Sequence, residues 1–253
     1  MSDSARWQPW QLELLRPHEI RAAIATVPVL YLPLGTIEWH CEHLPVGLDA
    51  LTAHGVCLRA AALAGGLVHP PLYYGTGGDH ARYPWTVMMD TDHEIAALLY
   101  KTLARAQDFG VRLAVLFSGH FADGQLSMID AIARTWNRRG GSLHILATSV
   151  NRIGGLPLAP DHAGIFETTL LGGLWPERVD LGRLPALAEA PLAPGDVWAD
   201  GRHDPGHPIW GVIGPDPRAY DAASAPALVA ASATWLAAAV QRELLQRPQV
   251  QAD

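Results

Sequence analysis

Short apolar runs alternate with amphipathic helical patterns along this chain, and that order predicts an α/β fold with a mainly parallel sheet covered on both faces. Two other observations agree with it. The 253 residues are 49% hydrophobic, enough to bury a full core in a single domain over residues 1–253. The 24 Gly and 20 Pro cluster between the apolar runs, where an α/β fold needs loops.

Each element follows from local pattern. After a polar N-terminal stretch, Pro17 and His18 lead into a short amphipathic helix over residues 19–25. Val29–Leu34 reads as the first buried strand, with Pro33 near its end, where a missing ladder donor matters least. Asp49 opens a helical pattern through residue 64, stopped by Gly65 and Gly66. A second apolar run over residues 67–74, interrupted by Pro70 and Pro71, enters a loop at residues 75–80. Thr91 and Glu94 have capping-box spacing, and Ile95, Leu98, Leu99, Leu103 and Ala106 follow at helical intervals up to Gly110. Residues 113–117 form the next buried strand, followed by a loop at residues 118–120 and a helix over 125–137. Residues 142–148 predict another strand, and the loop after it carries Asp161, His162 and Glu167. The Pro and Gly of residues 183–208 predict a long irregular connection, an active-site lid. Residues 209–213 read as a final strand segment and Ala225–Leu245 as the longest helix.

Composition excludes several function classes. A formal charge of −7, with 18 Lys+Arg scattered along the chain, provides no cationic footprint for nucleic acid. No apolar run approaches the roughly 18 residues of a membrane span, so no membrane partner is expected. Two cysteines, Cys41 and Cys57, argue against a disulfide scaffold and fit a reducing compartment, hence a cytoplasmic protein. The single lysine, Lys101, lies mid-helix by pattern, which leaves Schiff-base chemistry one poor candidate. No GxSxG elbow occurs, and Gly75, Gly77 and Gly78 lack the strand, helix and acid of a dinucleotide fingerprint.

The chemistry-bearing residues follow predicted strands, at the sheet edge where α/β folds bind ligands. Glu38, His40, Asp49, His120 and Glu167 are three carboxylates and two imidazoles, a donor set suited to Zn2+ or Mn2+, with Fe2+ a third candidate. Glu38 and His40 are two apart and point to one side of an extended segment. Three crowded carboxylates repel one another unless cations are present. Two divalent ions set +4 against −3, and a bridging hydroxide makes the cluster neutral, so the count favours a dinuclear site. Such a hydroxide forms near neutral pH and attacks a carbonyl that a metal polarises, which is hydrolysis of an amide or related C–N bond. His162, five residues before Glu167, is assigned as the general acid/base that protonates the leaving nitrogen.

These residues lie in recognisable blocks. The run LPLGTIEWHCEHLPVGLDA at residues 32–50 resembles the creatininase-family signature LPxGSxEQHGPHLPxxTD. SGHFADG at 118–124 is similar to the family's NGHGGN loop, DHAGIFETT at 161–169 to its HAGxxETS segment, and GVIGPDPRAYDAAS at 211–224 to GxxGDPxxAS. The resemblance implies a three-layer α/β/α fold, a dinuclear metal site, hydrolysis of cyclic or linear amides, lactams or formamides, and a homo-oligomer such as a hexamer. Carried over by motif, it implies Glu38, His40, Asp49 as the bridge, and His120 as ligands, with one further acid. His43 belongs to the motif and is expected to support the ligands by hydrogen bonding.

The chain departs from the family at that further acid. Creatinine-hydrolysing members carry it two residues after the loop histidine, where this chain has Ala122, so Glu167 is taken as its replacement, with Asp123 in reserve. Trp39 and Cys41 stand where Gln and Gly are usual, and Phe121, Ala122 and Asp123 replace Gly, Gly and Asn. These changes reshape the pocket and argue against creatinine itself. Trp39, His80, Phe121 and Asp123 are expected to line it, with Trp85 and Trp198 as further wall candidates. His80 lies in a segment resembling the family's EHxxFPGT and either lines a neighbouring subunit's pocket or is an ordinary loop histidine. Two alternatives stand beside a small-molecule amidohydrolase: a peptide-cleaving maturation enzyme, and a catalytically silent metal-binding scaffold.

Overall fold

The structure is a computed structural model that describes residues 11–193, 196 and 200–246. In chain order the elements are α1 (Pro17–Thr26), β1 (Val29–Leu34), α2 (Leu48–Ala64), β2 (Leu67–Val68), β3 (Gly75–Thr76), β4 (Met88–Met89), α3 (His93–Asp108), β5 (Leu113–Ser118), α4 (Asp123–Arg138), β6 (His144–Ser149), α5 (Ile165–Leu174) and α6 (Ala225–Leu245). The main sheet is parallel throughout, in the order β2-β1-β5-β6, and β3 pairs with β4 in a separate parallel ladder.

Strand alternation divides the core into two layers. Val29 and Tyr31 of β1 and Leu113, Val115 and Phe117 of β5 face α2 and α6. Leu30, Leu32 and Leu34, with Ala114 and Leu116, face α3 and α4. Both faces are apolar because parallel strands with crossover helices bury each side. The expected three-layer α/β/α arrangement is the one observed.

Three expectations are corrected. The stretch expected as a loop at residues 75–80 opens on the short strand Gly75–Thr76, while the apolar run before it, broken by the donor-less Pro70 and Pro71, forms a strand only at Leu67–Val68 and bridges Leu72 to Leu34. Residues 209–213 form no strand and make one antiparallel bridge, Ile213 to His162. Glu167 lies in the first turn of α5 and not in a loop. The irregular character of residues 183–208 holds among the described residues, which carry only the end of a 3-10 turn at Leu181–Arg183 and another at Asp200–His203. No helix among the described residues is long and apolar enough to cross a membrane.

Candidate metal centre

The centre begins with two glycines. A Cβ on Gly35, just past β1, would lie 2.1 Å from the Ala50 nitrogen, and one on Gly119, just past β5, would lie 2.0 Å from the Asp49 carbonyl oxygen. Only a residue without a side chain lets the first turn of α2 seat against both strand ends. Asp49 is thereby driven into the sheet edge, 1% exposed, between the loops that carry Glu38 and His120.

Asp49 then faces two groups with its two oxygens. Its Oδ1 lies 3.2 Å from His40 Nε2, which is 3.5 Å from Glu167 Oε2. Its Oδ2 lies 3.3 Å from His120 Nδ1, which is 2.9 Å from Glu38 Oε2. Glu38, His40, Asp49, His120 and Glu167 are all buried. The five residues expected as ligands are brought together.

The imidazoles share one arrangement. His40 Nδ1–H donates to the Glu38 carbonyl at 3.0 Å, and His120 Nε2–H donates to the Gly77 carbonyl at 3.0 Å. His80 Nε2–H donates to the Gly211 carbonyl and His162 Nε2–H to the Trp39 carbonyl, each at 2.9 Å. A carbonyl only accepts, so in each neutral ring the other nitrogen keeps a bare lone pair. For His40 and His120 that lone pair faces carboxylate oxygens. Glu38 Oε2, His40 Nε2 and Asp49 Oδ2 are buried with no hydrogen-bond partner. Acceptors facing acceptors at this burial call for a proton or a metal cation between them, and a ring nitrogen anchored to a carbonyl is the usual support of a metal-binding histidine. Three overlapping groups, Glu38/His40/Asp49, His40/His162/Glu167 and Glu38/His80/His162, each bring ligand atoms within 4.8 Å of one another.

Electrostatics without a metal reflect the same conflict. Burial opposes protonation of His40, but Asp49 and Glu167 override it and lift its pKa to about 10. His120 moves the same way: burial again opposes the charge, and Glu38 and Asp49 outweigh it. Burial raises Asp49, but His40 and His120 more than compensate and hold it below the usual carboxylate range. Glu167 is pushed well up, by burial first. Burial, then His40 and His80, hold His162 well below the ordinary histidine value, so its ring is neutral.

The half of the site nearest α5 depends on a cap that the sequence reading did not assign. The Asp161 carboxylate accepts the N–H groups of Gly164, Phe166 and Glu167 at 3.1, 2.9 and 3.3 Å, which holds the first turn of α5 and hence Glu167. Ala163, in the left-handed region at φ 55°, donates its N–H to Glu167 Oε2 at 2.6 Å. Cys41, beside His40, is also left-handed at φ 58°, which gives the physical reason for glycine at that position in the motif. His43 hydrogen-bonds Thr168 Oγ1 at 3.0 Å, so it supports the helix that carries Glu167.

The cavity above the cluster has a volume of about 160 Å3, and its wall includes Asp79, His80, Phe121, Ala122, His162 and Ile213. His80 therefore lines the cavity of its own chain, stacked on His162 at 4.0 Å. Phe121 is at the wall as expected. Trp39 is not part of the wall: its backbone carbonyl accepts His162 Nε2–H, and its ring turns to Trp210 and donates Nε1–H to the Trp210 carbonyl at 3.0 Å. Asp123 is exposed at the start of α4 and is not part of the wall. Trp85 is 79% exposed, and Trp198 lies outside the described residues. The sequence reading missed Gly78, Asp79 and Ile213; Asp79, next to His80, was the one within reach of motif reasoning.

The creatinine amidohydrolase family profile matches residues 13–240. The chain belongs to the creatininase family. A creatinine amidohydrolase of Pseudomonas putida is 29% identical over 206 residues, covering 72% of this chain and 78% of that protein. A mycofactocin precursor peptide peptidase of Mycolicibacterium smegmatis is 30% identical over 173 residues, 66% of each chain. Among solved structures, a crystal structure of creatinine amidohydrolase (creatininase) superposes with a TM-score of 0.72 at 25% identity, covering 95% of this chain and 99% of that one. A structure described as creatininase Mn gives 0.71 at 24% identity, covering 92% and 98%. The protein is thus a creatininase-family hydrolase whose polar cluster has the composition of a divalent-metal site.

Proposed function

We propose that this creatininase-family hydrolase is a dinuclear metal-dependent amidohydrolase that cleaves a C–N bond, in a cyclic amide, lactam or formamide, of a small molecule. The observation that carries the reading is the Asp49 carboxylate, which presents one oxygen to His40, itself beside Glu167, and the other to His120, itself beside Glu38. Two half-sites share that bridge, each with one imidazole and one further carboxylate. The donor set suits Zn2+ or Mn2+, with Fe2+ also compatible. Glu167 is the acid that completes the second half-site, since exposed Asp123 does not line the cavity. Bound there, divalent ions supply neutralising charge, activation of water near neutral pH and polarisation of a carbonyl.

The protein's own contribution is orientation and proton transfer. Neutral His162, with Nε2–H given to the Trp39 carbonyl, would accept at Nδ1 the proton that the attacking water loses and deliver it to the leaving nitrogen as the C–N bond breaks. Phe121 and Ile213 contribute apolar wall that excludes water, and His80 lines the same cavity. A cavity of about 160 Å3 is small beside the roughly 300–1,000 Å3 typical of drug-sized ligand pockets, which favours a compact substrate.

A peptide substrate is the second reading, favoured by the relative described as a peptide peptidase. Product analysis on cyclic ureides, imides, lactams and formamides alongside short peptides separates the two. Metal analysis of the purified protein, with chelation and add-back, is expected to find two divalent ions and metal-dependent hydrolysis. An ion content well below two, with no hydrolysis on any of the panel, would leave the silent scaffold. Retention of both ions and full activity in Glu167→Ala would remove that residue from the site.

A further inference from the structure

The segment that closes the cavity from the α5 side is irregular, yet several site groups hang on it. The Trp210 carbonyl accepts Trp39 Nε1–H at 3.0 Å, and the Gly211 carbonyl accepts His80 Nε2–H at 2.9 Å. Ile213 and His162 exchange both backbone hydrogen bonds at 2.9 Å. Gly214, at φ 147°, packs so closely on Asp161 that a Cβ would fall 2.4 Å from the aspartate Cβ. A strip outside the main sheet thus holds the ring of His80 and the backbone of His162 and touches the cap of α5.

Such a strip has no ladder on its far side, where carbonyls would be buried without donors. Arg202 supplies them. It is 0% exposed, donates Nη1–H to the Val212 and Gly214 carbonyls at 2.9 and 3.2 Å, and accepts the Gly211 N–H on its own carbonyl at 2.7 Å. Its charge is balanced by Asp196, through Nε to Oδ1 at 3.1 Å and Nη2 to the backbone carbonyl, and His207 lies 3.2 Å from the other carboxylate oxygen. A buried arginine is costly unless paired and fully bonded, and its planar fork reaches several fixed acceptors at once, which the tetrahedral ammonium of lysine does not.

We infer that Arg202 is a positioning residue for the hydrolytic site: by pinning residues 211–214 it fixes the Nε2–H tautomer of His80 and the placement of His162 over the metal cluster. The functional part rests on the assignment of His162 as proton carrier. The structural part does not.

The test uses the full-length, zinc-loaded protein with Arg202→Lys and Asp196→Asn, read by 15N resonances of the histidine rings, zinc content and steady-state kinetics. In the unmutated protein both rings should show the Nε2–H tautomer. In the variants the His80 signals are expected to move toward a tautomer mixture. kcat should fall by about a hundredfold, the scale of an ångström-sized misplacement, with zinc content kept and KM changed far less. Folded, zinc-replete variants with unchanged tautomers and kcat would overturn the inference. Should both variants fail to fold, hydrogen exchange on the unmutated protein decides: Gly211 and Ile213 amides are expected to exchange as slowly as those of β5, and exchange at exposed-loop rates overturns the inference. Absence of metal-dependent hydrolysis in the unmutated protein would instead sink the proposed activity, with the tautomer and exchange results still standing.

Discussion

The proposed half-site of Glu38 and His120 and the proposed half-site of His40 and Glu167 share Asp49, but different structure holds each. Glu38 and His120 leave the ends of β1 and β5, neighbouring strands registered residue by residue from Val29 opposite Leu113 to Leu34 opposite Ser118. Their separation of 2.9 Å is a consequence of the sheet. Glu167 arrives after β6 and an irregular stretch, and its place depends on the Asp161 cap, the His43–Thr168 bond and the strip that Arg202 pins. The first half-site fails only if the core fails. The second can be lost from a folded protein.

Removing the shared group tests the comparison most severely. Asp49→Ala takes the proposed bridging ligand from both halves, so metal analysis should find neither ion bound firmly. Hydrolysis should fall on the order of 10³-fold or more, since metal activation contributes several kcal/mol. A variant that kept one ion would show the halves to be more independent than the shared carboxylate implies.

The sheet-built half breaks through packing. Gly119→Ala places a methyl group 2.0 Å from the Asp49 carbonyl oxygen, on backbone that cannot yield locally. A stability loss of about 3 kcal/mol or more is expected in urea unfolding, with activity falling in step.

Proton linkage sharpens the contrast in the metal-free protein. The folded-state pKa of His40, about 10, lies above its ordinary 6.5, so its stabilising charge is complete below about pH 6.5 and is lost as pH rises toward 10. Urea unfolding across that window should show a decline on the order of a few kcal/mol, which saturating zinc removes. His43 has the opposite sign: burial, then His40, lowers it to about 3, so stability falls as pH drops from 6.5 toward 3. A flat profile between pH 6.5 and 10 would mean the cluster is not electrostatically coupled as drawn.

The cap gives the smallest effect and separates the halves most cleanly. Asp161→Ala should cost about 1–2 kcal/mol of stability and weaken metal affinity at the second half-site by roughly 10–100-fold. The expected stoichiometry under mild chelation is one ion per chain in place of two. Equal loss of both ions would show that α5 supports the whole cluster.

Much of this was legible along the chain. Val29–Leu34 and Ala225–Leu245 were readable to the residue, because an uninterrupted apolar run and a long periodic helix are local signals. Residues 75–80 misled because the two-residue strand at Gly75–Thr76 is made by pairing with Met88–Met89, which local composition does not reveal. Residues 209–213 misled because their partner is a single residue, His162, some 50 positions away.

The ligand types were a matter of sequence alone: three carboxylates and two imidazoles after predicted strands, in blocks whose order matched a family. Their pairing was not. That Asp49 faces His40 with one oxygen and His120 with the other depends on Gly35 and Gly119 letting α2 close on two strand ends. That Trp39 turns away, that His80 joins its own chain's cavity, and that Arg202 buttresses the roof were likewise settled by contacts between residues far apart in sequence. Composition and periodicity act through neighbours on one element and so determine the fold and the chemistry available. Which lone pair meets which oxygen is decided by close packing, and only the folded chain brings those groups within 3 Å or so of each other.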